Sequence, residues 1–294
     1  MTAAPVVVVG AGIVGASVAY HLARDGVPVT VIARDAGVTA SSFAWIGEEG
    51  EWPGGAADLR TFVLGDWRRL EAEVPGVSVR FSTPGDGGVD ARAAARALLL
   101  AARGHGARTV AGATVTAVRP GGVASSVGWH PASTVVLAAG TGVGGLEPRV
   151  AVPASPALLL RLRGPAGLVP TVVATPSYEV RPFDDDGVLL ATAPLGPDRS
   201  WIGLREAAGQ AVSRMREAFG DEIRLTGWSV GERPMPAGGP IIGRLDEQVY
   251  VAVMHSGVCL GPVAGRLIAS EIGSGRAAAE LDRCRPRRAG GRRA

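Results

Sequence analysis

Gly10, Gly12 and Gly15 stand at G-x-G-x-x-G spacing, which serves a ligand through what each residue lacks. The first glycine allows a tight turn, the second lets a pyrophosphate approach the backbone, and the third lets a helix pack closely on the preceding strand. With Ile13 and Val14 completing the turn, these residues read as a dinucleotide cradle, because the free N–H groups and positive dipole of a helix start face the phosphates. Arg233, in Gly231-Glu232-Arg233-Pro234, sits on a constrained segment. From there a guanidinium can hold a carboxylate as a bidentate fork, or else cap backbone carbonyls. His255, just before Ser256-Gly257-Val258, is a candidate for hydrogen bonding or proton tuning near neutral pH, with a structural role as the alternative. Tyr178-Glu179-Val180-Arg181-Pro182 alternates as a strand, with Tyr178 and Val180 on one face and Arg181 on the other. Tyr178 is the preferred pocket wall, and a plain sheet role stays open beside it. No Cys/His spacing of metal-ligand type occurs, so no metal is expected.

The elements that must position these residues can be read around them. Val6–Val9 is a continuous apolar run, as in a parallel strand buried on both faces. Residues 16–24 place Val18, Ala19 and Leu22 at helical spacing, Gly26 and Pro28 end that helix, and residues 29–32 form a second strand. Strand, glycine turn, helix and strand within about 30 residues is the context that makes the glycine motif informative. The acid expected at the end of the second strand is displaced: Ala33-Arg34-Asp35 stands there. Arg34 and Asp35 are taken as adenosine-side residues. Arg34 leaves an NADP 2′-phosphate reading open, and an ordinary exposed Arg–Asp pair is the bland alternative. Residues 135–137 followed by Ala138-Ala139-Gly140 read as a buried strand ending in small residues at the ligand-binding edge of a sheet. A helix is expected to begin near Pro262, proline being favoured at a helix start.

Together these segments resemble the D-amino-acid oxidase family of flavoproteins, which includes glycine oxidase, sarcosine oxidase and D-amino-acid dehydrogenases. The likeness covers residues 6 to about 272. It is carried by the fingerprint at residues 6–15 and by Val31-Ile32-Ala33-Arg34-Asp35. Three further stretches add to it: Ser41-Ser42-Phe43-Ala44-Trp45-Ile46, Val89-Asp90 with the helix and strand after it, and the motifs around Arg233 and His255. The resemblance implies non-covalent FAD. Ser41 and Ser42 would pass the pyrophosphate, Val115 would meet adenine through its backbone, and Ala139 and Gly140 would border the cofactor. Ser256, Gly257, Val258 and Cys259 would form the flavin-facing loop. It also implies that Arg233, His255 and Tyr178 serve the substrate. The chain departs from the family in its apparent shortness between Trp52 and Val89. It also has Thr141-Gly142 where relatives often carry an aromatic, and no lysine at all, so the oxygen-activating lysine of sarcosine oxidases has no counterpart. Cys259 does not match the cysteine that tethers FAD in sarcosine oxidases.

Composition narrows the classes. In 294 residues, 47% hydrophobic and 19% charged, a sizeable core is available. The net charge is +3, but residues 283–294 carry six arginines and no acid, so the body without them is −3. A basic, disordered tail over residues 276–294 is expected, and no nucleic-acid groove. The absence of lysine excludes a lysine Schiff base and a P-loop lysine. Two cysteines, Cys259 and Cys284, suit a reducing cytoplasm; no leader is evident, and no run of apolar residues is long enough to span a membrane.

The expected fold class is α/β: a Rossmann-like FAD-binding domain from residues 1–57, 84–148 and 230–275, whose three pieces form one sheet, and a reduced, sheet-based α+β substrate domain from 58–83 and 149–229. The expected activity is oxidation of the CH–NH bond of an amino acid or secondary amine to an imine, by hydride transfer to flavin N5. The alternatives are a flavin-binding subunit of a larger redox complex and an NAD(P)-dependent dehydrogenase. The expected partners are a small amine or amino-acid substrate, with a homo-oligomer or a redox partner subunit left open.

Overall fold

The computed structural model describes residues 4–47 and 52–286. In chain order the elements begin with β1 (Val6–Val9), α1 (Ile13–Arg24), β2 (Val29–Ala33), β3 (Trp45–Gly47), α2 (Ala56–Leu59) and α3 (Val63–Glu73). Next come β4 (Val79–Thr83), β5 (Asp86–Val89), α4 (Ala91–Gly104), β6 (Arg108–Ala111), β7 (Val115–Arg119), β8 (Gly122–Ser125) and β9 (Gly128–Pro131). They are followed by β10 (Thr134–Leu137), α5 (Val143–Leu146), β11 (Ala154–Arg163), β12 (Val173–Ala174), β13 (Glu179–Pro182) and β14 (Val188–Pro194). The last are α6 (Trp201–Phe219), β15 (Arg224–Pro234), β16 (Ile241–Arg244), β17 (Val249–Val253) and α7 (Gly257–Ser274).

The apolar run of β1 is wholly buried because it lies inside a six-stranded sheet of order β16-β17-β10-β1-β2-β6. All pairings are parallel except β16 with β17, and the strands come from the three expected chain pieces. Val6, Val8 and Val31 face α1, α4 and α7, whereas Val7, Val9 and Ile32 face Val115 and Val123 of the antiparallel sheet β7-β8-β9. Side chains that alternate across a strand are thus apolar on both faces.

The second lobe is an antiparallel sheet of order β12-β13-β14-β11-β15. Leu158, Leu160, Leu162, Val180 and Ala191 pack on one face against Ala208, Val212 and Met215 of α6. The opposite face is turned toward the parallel-sheet domain, and Arg181 joins the two. Fully buried, its guanidinium donates to the carbonyls of Phe43 (2.7 Å), Val89 (2.9 Å) and Pro182 (3.0 Å). Gly88 makes room for it, since a Cβ there would lie 2.2 Å from Nη1 of Arg181.

Two expected boundaries are revised. The segment 58–83 divides: Leu59, Val63, Trp67 and Leu70 join the core beneath the parallel sheet with α1 and α7, while β4 pairs with β5 in the small sheet β3-β5-β4. The apolar spacing of α3 serves that core, so this helix does not belong to the antiparallel lobe. At the other end, residues 276–286 are no free tail. A 3-10 helix, Ala279–Cys284, buries Leu281 and Cys284, and Arg285 clamps Glu271 through both guanidinium nitrogens (2.9 and 2.5 Å). Glu271 also accepts the hydroxyl of Tyr250 at 2.5 Å, so the charge expected in a solvated tail is partly used in packing. The rest of the expected tail, residues 287–294, lies outside the described residues.

Candidate active site

A cavity of about 1450 Å³ runs along the carboxyl edge of the parallel sheet and under the free face of the antiparallel sheet. This is where open α/β sheets bind ligands. Gly10, Gly12, Ile13, Val14, Arg34, Asp35, Ser41, Ser42, Val115, Ala139 and Gly140 line it, as do Ser256, Gly257, Val258 and Cys259. Gly15 does not. A Cβ there would lie 2.1 Å from the Gly10 carbonyl oxygen, so its part is helix-on-strand packing, as the motif implies. Gly10 holds φ at +112°, and a Cβ on it would meet the Ala138 oxygen at 2.4 Å. At Gly12 the nearest atom is the hydroxyl of Thr39, 2.9 Å away, which also accepts the N–H of Ile13 at 3.0 Å. Gly12 is thus bare toward Thr39 and Ala36, two residues of the cavity wall, while its two partners are bare toward the backbone of the sheet edge.

At the cavity edge just past β2, Arg34 donates to Asp35 at 2.8 Å, and Asp35 accepts the N–H of Gly37 at 2.7 Å. The hydrogen bond from Arg34 is the main cause holding the Asp35 carboxyl below its ordinary range. The residues are exposed, paired to each other and on the cavity wall.

The opposite end is built by β15 and the start of α7. That helix begins at Gly257, ahead of Pro262, which lies inside it; the expected start near Pro262 is corrected. Proline costs an interior helix one donor, and the carbonyl so deprived, that of Val258, accepts the indole N–H of buried Trp67 at 3.1 Å. The break that proline signals in sequence is thus repaired from another helix. Ser256 gives α7 no side-chain cap, and first-turn N–H groups of a helix have no intrahelical partner. The thiol of Cys259 donates to the Trp45 carbonyl at 3.1 Å, and burial pushes its pKa up to about 12.

Arg233 and His255 meet here. Arg233 donates from Nε to the carbonyl of Ser155 and from Nη2 to its hydroxyl, both at 3.1 Å. Burial lowers its pKa, and Glu179 opposes that shift. His255, at the cavity rim, sits 3.3 Å from the Ser256 hydroxyl, and desolvation followed by the Arg233 charge moves its pKa down.

Tyr178 is not brought into this site. Its ring packs edge-on against Phe219 in the α6 core (centroids 6.4 Å apart), away from the cavity. The expected alternation of faces is correct, but the apolar face of this sheet goes to α6, so the polar one turns to the cavity. The residue missed is its neighbour Glu179, which lines the cavity with Thr192 and Leu159. The signal available was an acid beside the preferred tyrosine on a strand whose other face is apolar.

A model of the FAD dependent oxidoreductase family, also called DAO, matches residues 5–61 and 43–271, and the chain belongs to that family. It is an FAD-dependent oxidoreductase. Among solved structures, the glycine oxidase of Geobacillus kaustophilus superposes with a TM-score of 0.81 at 19% identity, over 97% of this chain and 99% of that one. The iminodiacetate oxidase of Chelativorans sp. BNC1 gives 0.72 at 22% identity, over 96% and 98%. The L-proline dehydrogenase of P. horikoshii gives 0.78 at 16%, over 97% of each chain. At these identities the likeness establishes the fold. No curated protein matches by sequence. Among the described residues, no helix is long and apolar enough to cross a membrane.

Proposed function

We propose that the chain oxidises the CH–NH bond of an amino acid to an imine, with FAD held non-covalently along the cavity. The cavity suits the group on its own geometry: a glycine turn at Gly10–Gly12 along its wall, and the starts of α1 and α7 toward either end, neither with a side-chain cap from its own N-cap residue. Gly10, Gly12, Ile13 and Val14 would meet the pyrophosphate, with Ser41, Ser42, Ala139 and Gly140 beside it. Arg34, Asp35 and Val115 would border the adenosine, and residues 256–259 the flavin. Bound there, FAD supplies a two-electron acceptor, the substrate C–H giving up a hydride to N5. Non-covalent binding is supported by the Cys259 thiol, protonated and engaged with Trp45, which is a poor nucleophile. Acid precipitation should leave all flavin colour in the supernatant; a yellow pellet would overturn it.

The observation that carries the substrate reading is Arg233. Two of its nitrogens are fixed by Ser155, and Nη1 has no partner among the described residues. A guanidinium so oriented at the cavity wall is set to take a carboxylate. The depressed pKa of His255 keeps its imidazole neutral at pH 7, able to accept a proton from the substrate amine, which must be neutral to be oxidised. The test is Arg233→Ala, read as anaerobic flavin bleaching by amino acids and by the matching decarboxylated amines, with FAD content checked. Amino-acid binding should weaken by about 2–5 kcal/mol, amine binding far less, and Arg233→Lys should restore only part. Equal losses for both substrate kinds, or none, remove Arg233 and the preference for amino acids.

A further inference from the structure

We infer that Glu179 is the specificity residue of the substrate cavity, holding a cationic group at the far end of an amino acid whose carboxylate lies on Arg233. The inference rests on the amino-acid reading above and names the substrate class within it: diamino or guanidino acids, the kind of side chain that ends in an ammonium or guanidinium.

Register places the two residues. Glu179 pairs with Thr192, Thr192 with Leu159, and Leu159 with Ser229, so the four form one row across the face turned to the cavity. Arg233 lies farther along the same face of β15, opposite Ser155. Three strand spacings and four residues separate them, roughly 20 Å between backbones at about 4.8 Å per strand and 3.4 Å per residue. Both line the cavity, and no ion pair closes between them. A gap bounded by opposite charges therefore lies across the cavity.

The carboxylate of Glu179 is half-buried, and no hydrogen bond reaches it from any described residue. Desolvation raises its pKa, with Arg233 pulling the other way. Burying a carboxylate without a donor is costly, and nothing in the packing of this sheet uses one. The buried carboxylates among the described residues are met by arginine: Asp66 by Arg69 and Arg266, Glu271 by Arg285, Glu147 by Arg149; half-buried Asp86 and Asp184 accept from Trp45 and from backbone N–H groups. Glu179 alone among these lines the cavity, and it does so with no donor among the described residues.

The α-amine is the wrong occupant for it. An amino acid carries its amine and carboxylate on one carbon, too close together to bridge the gap. A carboxylate beside the α-amine would also favour the ammonium form, which gives up no hydride. A cation several bonds out along the side chain satisfies both conditions.

The test uses the FAD-loaded full chain at pH 8 with both enantiomers of lysine, ornithine, arginine, norleucine and 2-aminoadipate. Reduction is followed anaerobically, and binding by perturbation of the flavin spectrum. Wild type should favour lysine over uncharged norleucine by about tenfold or more in both readouts. Glu179→Gln should bring that ratio to near unity, and Glu179→Lys should shift preference to 2-aminoadipate. A wild type that handles norleucine as well as lysine, ornithine and arginine overturns the role of Glu179 and leaves the amino-acid reading standing. So does a preference that survives Glu179→Gln. Absence of binding and reduction with every amino acid overturns both.

Discussion

Trp67 of α3 donates its indole N–H to the Val258 carbonyl of α7 at 3.1 Å, the acceptor that Pro262 leaves without a helical partner. A proline inside the helix that starts at the cavity is thus tolerated because a second helix supplies the missing donor. Trp67→Phe keeps most of the ring and strands the carbonyl, which should cost about 1–3 kcal/mol. Adding Pro262→Ala returns a backbone N–H and should recover part of the loss. Chemical denaturation of the four members of this cycle measures it; additive losses would show that the two groups do not share the carbonyl.

The fingerprint glycines should separate by phenotype. Gly12→Val presses against the Thr39 hydroxyl and the Ala36 carbonyl on the cavity wall, so the chain should fold but purify without flavin. Gly15→Ala drives a Cβ against the Gly10 carbonyl, so folding itself should suffer. The checks are the flavin absorbance ratio and the far-ultraviolet melt of each variant. Full flavin occupancy in folded Gly12→Val would place the cofactor elsewhere.

Arg181 ties its lobe to the rest through the carbonyls of Phe43 and Val89, also donates to that of its neighbour Pro182, and makes no ion pair among the described residues. Replacing it with methionine leaves those buried acceptors unpaired, with an expected loss of about 3 kcal/mol or more. Lysine should rescue little, because an ammonium cannot reproduce a planar fork reaching separate carbonyls. Equilibrium unfolding with FAD present reads this directly.

His21 should give the fold an acid-sensitive window. Its Nδ1–H donates to the Ser17 carbonyl at 2.8 Å, and Nε2 accepts from Arg69 at 2.8 Å, so the buried ring is neutral. Desolvation chiefly, with nearby arginines, lowers its pKa from 6.5 to about 4. The unfolded chain therefore binds the extra proton first as pH falls. The stability due to neutral His21 is complete above pH 6.5 and declines down to about pH 4, by about 3 kcal/mol in all. A His21→Gln variant should lack this part of the pH dependence when unfolding free energies are compared between pH 7 and pH 4.5. Parallel curves for the two proteins would contradict it.

What the sequence by itself determined is local. Gly10, Gly12 and Gly15 declared a dinucleotide turn because each is demanded by backbone approach within a few residues, and β1 declared a parallel strand because it is apolar at every position. The family likeness added the order of the three chain pieces, and with it the one sheet they form. Even the alternation around Tyr178 was legible. Which face of that strand meets the cavity was not, because the choice depends on where α6 packs, some 20 residues farther on. Tertiary structure alone also decided that α7 runs through Pro262, since the compensating donor lies on α3. It decided too that part of the expected tail folds back, since the partner of Arg285 is Glu271 on α7. Periodicity reports which residues leave water together. It carries no information on which distant surface receives them, and the end of this cavity lined by both Glu179 and Arg233 is made where two such surfaces meet.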